Sequence, residues 1–202
     1  MRFLLFGLVL FPPLMAQGPY DVKLETPQVR VIQVDVGARG QSAIRTHEMN
    51  RVLIYRDGGH IQLSGGDGRI EDLDVQAGDA RWSRAGEPYI MENLSDHPIR
   101  IIEIELRSGS AGAKALPKLD PVAVDARHYS MEFENDQVRV LRVHFGPHEK
   151  GVMHEHVLDR VVVYLTDQAS VKAGTVRMAG AATHTEENAG DASAELIAVE
   201  LK

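Results

Sequence analysis

The chain alternates apolar and polar residues over short stretches, and this pattern predicts β-strands. Residues 29–36 read VRVIQVDV and residues 99–106 read IRIIEIEL. A period of two places the apolar side chains on one face of a strand, and no long stretch shows the helical period of 3.6 residues. Gly, Asp and Asn turns separate the stretches, which is typical of an all-β sandwich or barrel. The strands are predicted at residues 29–36, 51–55, 60–63, 73–76, 81–82, 88–92 and 99–106, with a polar lead-in at residues 21–26.

The second half of the chain repeats the first. Gln28-Val29-Arg30-Val31 recurs as Gln137-Val138-Arg139-Val140, and the match continues without a gap to Tyr55 and Tyr164. We interpret the chain as a tandem duplication. The second copy lacks most of the glycine-dense hairpin of residues 60–71. The organisation that follows is a first module at residues 20–107, a linker rich in small residues at 108–118, and a second module at 119–202.

The first residues predict an export signal. Arg2 precedes an apolar run at residues 3–11, and Leu14-Met15-Ala16 ends in a small residue. This order is typical of a secretory signal peptide, so residues 1–16 are predicted to be removed by cleavage. An uncleaved anchor is the alternative, but the run is too short to span a bilayer and Pro12-Pro13 ends it. We therefore expect a bacterial protein that is periplasmic or secreted and not held by a membrane after cleavage.

Charge and composition narrow the partners and the chemistry. The formal net charge is −7 and the sequence pI is about 5.7, which argues against nucleic acid or an anionic membrane as the main partner. There is no cysteine, so disulfides and thiolate metal sites are excluded. A metal ion in this protein would need histidine, carboxylate or water ligands.

Two histidines in the second half have the spacing of a metal site. His154 and His156 precede the apolar run at residues 161–165. Side chains at i and i+2 of a strand share a face and lie roughly 6.5–7 Å apart, so two imidazoles can close on one ion. A third ligand must come from another strand, and His184 is the natural candidate. Imidazole ligands suit a divalent Zn, Fe, Mn, Ni or Cu ion.

These residues give the chain a resemblance to the cupin superfamily, and the repeat makes it similar to a bicupin. Cupins combine a Gly…His-x-His motif with a later Gly…His…Asn motif. The resemblance implies two tandem conserved-barrel modules of the double-stranded β-helix, or jelly-roll, type. It says little about function, because cupins include dioxygenases, isomerases, storage proteins and ligand-binding domains. The matching residues are Gly151, His154, His156, Gly174, His184 and Asn188 in the second half, and Gly78, Trp82, Pro88 and Asn93 in the first.

The chain departs from the cupin pattern at several positions. Arg160 stands where cupins usually place a glutamate ligand, and an arginine cannot ligate a cation. In the first half Arg45 matches His154 and Tyr89 matches His184, so that His47 alone is retained. The first module is therefore predicted to have a degenerate metal site. It is either structural or a binding pocket of another kind.

The roles of several other residues remain open at this point. Arg160 and its counterpart Arg51 either bind an anionic group at the pocket or form a salt bridge at a strand end. Glu187 is a candidate fourth ligand or general base, or else a solvated turn residue. Trp82 and Tyr89 either line a small-molecule pocket or pack in the core.

Two functions are compatible with the sequence. In the first, the second module binds a divalent metal and acts as an oxygenase or isomerase on a small organic molecule. In the second, the protein is a non-catalytic binding or scaffold protein of the periplasm with a vestigial site. Exposed sheet edges would also allow pairing with a second copy of the chain as a homodimer.

Overall fold

The computed structural model describes residues 20–42, 47–86, 89–107 and 117–202, and the regular elements within them are β-strands apart from one short helix. The predicted signal peptide and nearly all of the predicted linker lie outside the described residues. Within them, no helix is long and apolar enough to cross a bilayer. The elements are β1 (Asp21–Glu25), β2 (Val29–Val36), β3 (Arg51–Tyr55), β4 (Gly59–Gly65), β5 (Ile70–Val75), β6 (Ala80–Ser83), β7 (Tyr89–Asn93), β8 (Ile99–Leu106), α1 (Pro121–Val124), β9 (Tyr129–Glu134), β10 (Val138–Phe145), β11 (His154–His156), β12 (Arg160–Tyr164), β13 (Val176–Ala179), β14 (Ala182–His184) and β15 (Ala194–Leu201).

Two five-stranded antiparallel sheets form the body of the protein. One has the order β1-β2-β8-β3-β6 and the other β9-β10-β15-β12-β13, so matched segments of the two halves occupy the same places. A three-stranded sheet (β5-β4-β7) and a two-stranded sheet (β11-β14) complete the structure. Among the described residues none of these four sheets closes into a barrel. The all-β class is thus confirmed, whereas the arrangement as two tandem barrels stays a prediction.

The segment predicted as a polar lead-in is an edge strand. Residues Asp21–Glu25 pair with β2, with a shift of register between Val22 and Leu24. The sequence shows little apolar alternation here because an edge strand exposes most of its side chains. The backbone of β1 is held by hydrogen bonds to the edge of β2 that faces away from β8.

The two large sheets share a core. Alternate side chains of β2, β3 and β8 meet alternate side chains of β10, β12 and β15, and all of them are buried. These strands carry Val and Ile because branched side chains pack well on a pleated surface. Burial of this face ties the two halves together. The core residues are Val29, Val31, Val52, Ile54, Ile102, Ile104, Leu106, Val138, Val140, Val161, Val163, Ile197 and Val199.

Polar contacts between the halves are reciprocal. Gln28 Nε2 donates to Asp159 Oδ2 at 3.1 Å, and Asn50 Nδ2 donates to Gln137 Oε1. Gln28 and Gln137 are matched positions of the repeat, as are Asn50 and Asp159. Each half therefore offers the same two positions to the other, which is the pattern of a two-fold interface.

A buried asparagine fixes the same loop in both halves. Asn93 Nδ2 donates to the carbonyl oxygens of Val36, Gly37 and His97 at 3.1, 3.0 and 2.8 Å. Asn188 Nδ2 makes the matched contacts in the second half at 3.4, 2.9 and 2.8 Å. These contacts satisfy carbonyl groups at the end of a strand, where the sheet itself no longer can. The matched acceptors of Asn188 are Phe145, Gly146 and Ala192.

Candidate metal centre

The three predicted histidines lie together in the second half. Strands β11 and β14 are antiparallel, with His154 directly opposite His184 and His156 opposite Ala182. One ligand atom from each histidine lies within 4.8 Å of the others. The ring centroids are 5.0 Å apart for His154 and His156, and 4.6 Å for His154 and His184. The i, i+2 pair and the opposite strand therefore deliver three imidazoles to one point.

Hydrogen bonds orient two of the rings. His154 Nδ1 lies 2.9 Å from the carbonyl oxygen of Val152, and His156 Nδ1 lies 2.7 Å from Glu200 Oε1. A carbonyl and a carboxylate both require Nδ1 to carry the proton. The lone pair of each imidazole is then on Nε2. This is the arrangement by which proteins orient histidines toward a metal.

Glu200 belongs to a buried chain of charges behind His156. Its Oε2 lies 3.5 Å from Arg139 NH1, and Arg139 NH2 lies 2.8 Å from Asp120 Oδ1. Arg139 and Glu200 are 5% and 3% exposed, so water screens neither of them well. Asp120 also caps α1 by accepting a hydrogen bond from the Val122 amide. The network holds the Glu200 carboxylate at a fixed place beside His156.

We expect Glu200→Gln to weaken metal binding by about ten- to a hundredfold, because the carboxylate that orients His156 and makes it more basic is lost. Titration of the metal-free protein with Zn²⁺ and Mn²⁺ measures the change. Glu195→Gln is the matched control, since Glu195 lies on the same strand and pairs with Arg142 outside the cluster. Equal affinities for the Glu200→Gln variant and the native protein would contradict the role of Glu200.

Glu186 is the carboxylate that faces the histidines. Tyr129 donates from its hydroxyl to Glu186 Oε2 at 2.6 Å, and the same hydroxyl lies 3.1 Å from His154 Nε2. Glu186 Oε1 is 3.8 Å from His184 Nε2. Burial, followed by the negative charge of Glu186, raises the pKa of Tyr129 far above its usual value. Tyr129 therefore keeps its proton and acts as a hydrogen-bond donor in the cluster.

The donors and acceptors of this cluster are out of balance. His184 Nε2 is buried and makes no hydrogen bond. Burial lowers the pKa of His184, and although Glu186 opposes this, His154, His156 and Arg160 add to it, so the ring is neutral at neutral pH. The phenol proton of Tyr129 cannot serve both His154 and Glu186. The buried nitrogen and oxygen lone pairs of the cluster outnumber the protons available to them, so a cation is suited to bind there. Three imidazoles with one carboxylate fit a divalent transition metal.

Arg160 borders the cluster and does not pair with its neighbours Asp159 and Glu155. Its NH1 donates to the carbonyl oxygen of Gly180 at 2.6 Å, whereas Asp159 accepts from Gln28 and Glu155 from the Lys118 amide. Burial has the larger influence on the pKa of His184, but the Arg160 charge lowers it too. Arg160 therefore lies close enough to act on the site electrostatically.

Glu187 lines a cavity next to the cluster but is not one of the residues whose ligand atoms converge there. Its backbone bridges to Lys150, and its exposed carboxylate lies 3.7 Å from the Lys150 ammonium. His184 and Glu186 share a face because side chains alternate along an extended chain, which puts Glu187 on the other face. From the sequence alone, this alternation could have identified Glu186, rather than Glu187, as the carboxylate on the same face as His184. Tyr129 could have been found only as the match of Tyr20 in the repeat.

A cavity of about 360 Å³ adjoins the cluster. Val143, Phe145 and Leu196 give it an apolar wall, and Gln168 and Glu186 contribute polar groups. Glu186 thus belongs both to the histidine cluster and to the cavity. A volume of this size is within the range of sites for small organic molecules.

The first half has an ion network at the matched place. His47, Glu103 and Glu105 are buried, with ligand atoms within 4.8 Å of one another. Arg51 NH1 lies 3.3 Å from Glu103 Oε2, and Arg30 NH1 lies 3.7 Å from Glu105 Oε2. Arg51 pairs closely with Glu103, whereas Glu105 Oε2 is buried without a hydrogen bond. His47, Glu103 and Glu105 are therefore a second group that could hold a cation.

The other first-half positions are less informative. Arg45 lies outside the described residues, and the structure does not describe the side chain of Tyr89. Trp82 is partly buried; it packs against the shared core and also lines a cavity of the first half, so both alternatives considered for it hold in part.

Solved structures place this arrangement in a known fold. AerE from Microcystis aeruginosa superposes with a TM-score of 0.65 at 10% identity, covering 91% of this chain and 98% of that chain. Bacillus subtilis oxalate decarboxylase OxdC, as a deletion mutant, gives 0.63 at 12% identity, covering 86% and 68%. A cupin 2 conserved barrel domain protein from Leptotrichia buccalis gives 0.52 at 12%, covering 89% and 86%.

Sequence comparison adds no closer relationship. No protein-family model matches the chain. No curated protein matches it by sequence. At identities of 10 to 12%, the structural likeness shows the fold alone. The chain has a cupin-like fold.

Proposed function

We propose that this protein is an exported bicupin whose second half holds a divalent metal ion on His154, His156 and His184. The observation that carries the proposal is the buried, unpartnered Nε2 of His184 beside two imidazoles whose lone pairs are also on Nε2. Glu186 supplies the negative charge that the usual cupin glutamate would have supplied at position 160. The repeated strand order and the matched asparagine contacts support the duplication behind the bicupin assignment.

The ligand set favours an ion of intermediate softness. Three imidazoles and a carboxylate suit Mn, Fe, Ni, Cu or Zn, and they suit Ca or Mg poorly. Bacillus subtilis oxalate decarboxylase, which shares the fold at a TM-score of 0.63, has Mn(II) centres. Coordination geometry and the availability of each metal decide which of these ions binds, so manganese is tested as one candidate among five.

We further propose that the metal half acts on a small organic molecule bound in the adjoining cavity, by oxygenation or isomerisation. A bound divalent ion would supply Lewis acidity at this point. Glu186 lies at the boundary of cavity and cluster, where its carboxylate can accept a proton from a bound substrate. Tyr129, which stays protonated, holds that carboxylate by a 2.6 Å hydrogen bond. The apolar wall of Val143, Phe145 and Leu196 excludes water from the substrate.

Arg160 favours a second candidate function. A buried cation that lowers the pKa of His184, although less than burial does, also opposes a bound metal ion. On this alternative the protein is a non-catalytic periplasmic binding or scaffold protein with a vestigial site. Both candidate functions include the proposed export and a small-molecule ligand. For both, we also propose that free sheet edges pair to form a homodimer.

Metal content separates the two candidates. We expect the mature protein, expressed without a histidine tag and purified without chelator, to contain about one transition-metal ion per chain by elemental analysis. Removal of the metal should lower thermal stability, and return of the same metal should restore it. A chain that stays free of metal after incubation with Mn²⁺, Fe²⁺, Ni²⁺, Cu²⁺ and Zn²⁺ would establish the vestigial site instead.

A further inference from the structure

The first half contains a cavity of its own. It has a volume of about 500 Å³ and lies beneath the hairpin formed by β4 and β5. In the second half the matched segment is a short turn closed by a bridge between Gln168 and Val171. The hairpin is therefore an addition to the common fold, and it walls the cavity of the first half, whereas the short turn borders the smaller cavity of the second.

The hairpin tip is built to hold its shape. Gly65 donates to the Arg69 carbonyl oxygen at 2.8 Å, and Asp67 Oδ1 accepts from the Arg69 amide at 3.0 Å. Gly68 has φ of +80°, a left-handed conformation that glycine adopts without strain. Gly65, Asp67 and Arg69 all line the cavity, so this tip forms one of its walls.

The floor of the cavity is apolar. Leu53 and Tyr55 lie on β3 and Leu63 lies on β4, and all three line it. Leu53 and Tyr55 are two residues apart and share a face, while Val52 and Ile54 face the shared core on the other side. The cavity therefore offers apolar surface to the body of a ligand.

One corner of the cavity carries a prepared hydrogen-bond donor. Arg51, which is fully buried, donates from both Nε and NH2 to Ser83 Oγ at 3.2 Å each. A hydroxyl has two lone pairs and one proton. Because Arg51 occupies both lone pairs, the proton of Ser83 is left to donate, and Ser83 lines the cavity.

Arginine side chains add further donors near this corner. Arg81 is two residues before Ser83 on β6, so both side chains are on the same face of the strand. Arg81 NH2 donates to Glu71 Oε1 at 3.0 Å, and Arg69 NH2 lies 3.3 Å from Asp67 Oδ2. A guanidinium has five N–H donors, so these single contacts leave others for a ligand. The polar side of the cavity thus combines the Ser83 hydroxyl with two guanidinium groups, each of which pairs with one lining carboxylate, Asp67 or Glu71, and keeps further N–H donors.

We propose that this cavity binds a small carboxylic acid with an apolar body. The carboxylate accepts hydrogen bonds from Ser83 Oγ and from Arg81, and the apolar body lies on Leu53, Tyr55 and Leu63. A volume of about 500 Å³ is within the usual range for small-molecule sites. The site uses neither His154 nor its partners, so it does not depend on the metal proposal.

Calorimetric titration with 3-phenylpropionate and with 3-phenyl-1-propanol tests the proposal, because the two probes differ only in the acid group. We expect the acid to bind at millimolar or lower concentration and the alcohol to bind at least tenfold more weakly. Ser83→Ala should weaken binding of the acid by about ten- to a hundredfold, since it removes a hydrogen bond to a charged group. Leu63→Trp should abolish binding of both probes by filling the cavity.

Two control variants localise the binding. Ser170→Ala alters the cavity of the second half, and His156→Ala alters the histidine cluster, so both should bind 3-phenylpropionate like the native protein. Circular dichroism confirms that each variant is folded. No binding of the acid to native protein, equal binding of acid and alcohol, or binding that survives Leu63→Trp but is lost in His156→Ala would each overturn the proposal.

Discussion

Replacing His156 with alanine is expected to reduce bound metal from about one ion per chain to nearly none. His156 is 3% exposed and is one of three imidazoles that converge at one point. Loss of a residue that only orients a ligand costs ten- to a hundredfold in affinity, so loss of the ligand itself should cost at least a hundredfold. Elemental analysis after dialysis measures the remaining metal.

The same substitution should remove most of the stabilisation that metal gives. A ligand present at a hundred times its Kd stabilises a protein by about 2.7 kcal/mol. For a chain of this size that corresponds to a shift in Tm of roughly 5–10 °C. His156→Ala also leaves the buried Glu200 without its imidazole partner, which lowers stability without metal. The informative quantity is therefore the metal-induced shift within each protein.

His144→Ala is the control for this experiment. His144 is exposed on β10, and its substitution should change neither metal content nor the metal-induced shift in Tm. If His156→Ala retains one ion per chain after dialysis, the cluster of His154, His156 and His184 is not the metal site.

The second large effect is expected at Asn93. Asn93→Ala should lower the free energy of unfolding by about 2–4 kcal/mol, because it removes several hydrogen bonds and leaves buried carbonyl groups unpaired. Asn93 is fully buried, and its side chain also accepts from the Ser95 amide at 2.9 Å. Urea unfolding followed by circular dichroism measures the loss.

Asn188→Ala provides the comparison within the same chain. Its side chain makes the matched contacts, but it is only partly buried, so water can replace some of the lost hydrogen bonds. We expect about half the loss seen for Asn93. A loss at Asn93 below 1 kcal/mol, or one smaller than that at Asn188, would show that these contacts do not hold the loop as we describe.

Strands with a buried face could be predicted well from the sequence. The predicted strands at residues 29–36, 51–55 and 99–106 coincide with β2, β3 and β8. Their alternation is strong because one face meets the shared core. Strand β1 was not predicted, since an exposed edge strand imposes little apolar pattern.

The histidine cluster was only partly predictable. The spacing of His154 and His156 follows from strand geometry, and His184 from the motif that accompanies such pairs. Glu186 could be distinguished from Glu187 only by fixing which face His184 occupies. Tyr129 lies far from the motif in sequence and reaches His154 because β9 pairs with β10 at the edge of the sheet.

The sequence by itself determined the all-β class, and it predicted the internal repeat and three candidate ligands. These follow from local periodicity and from matched residues, which require no knowledge of distant contacts. The tertiary structure alone decided that Glu200 orients His156, that Glu186 faces the cluster, and that a separate cavity lies beneath the hairpin of the first half. Such features depend on which faces meet when distant strands pack, and that is set by burial of the shared core.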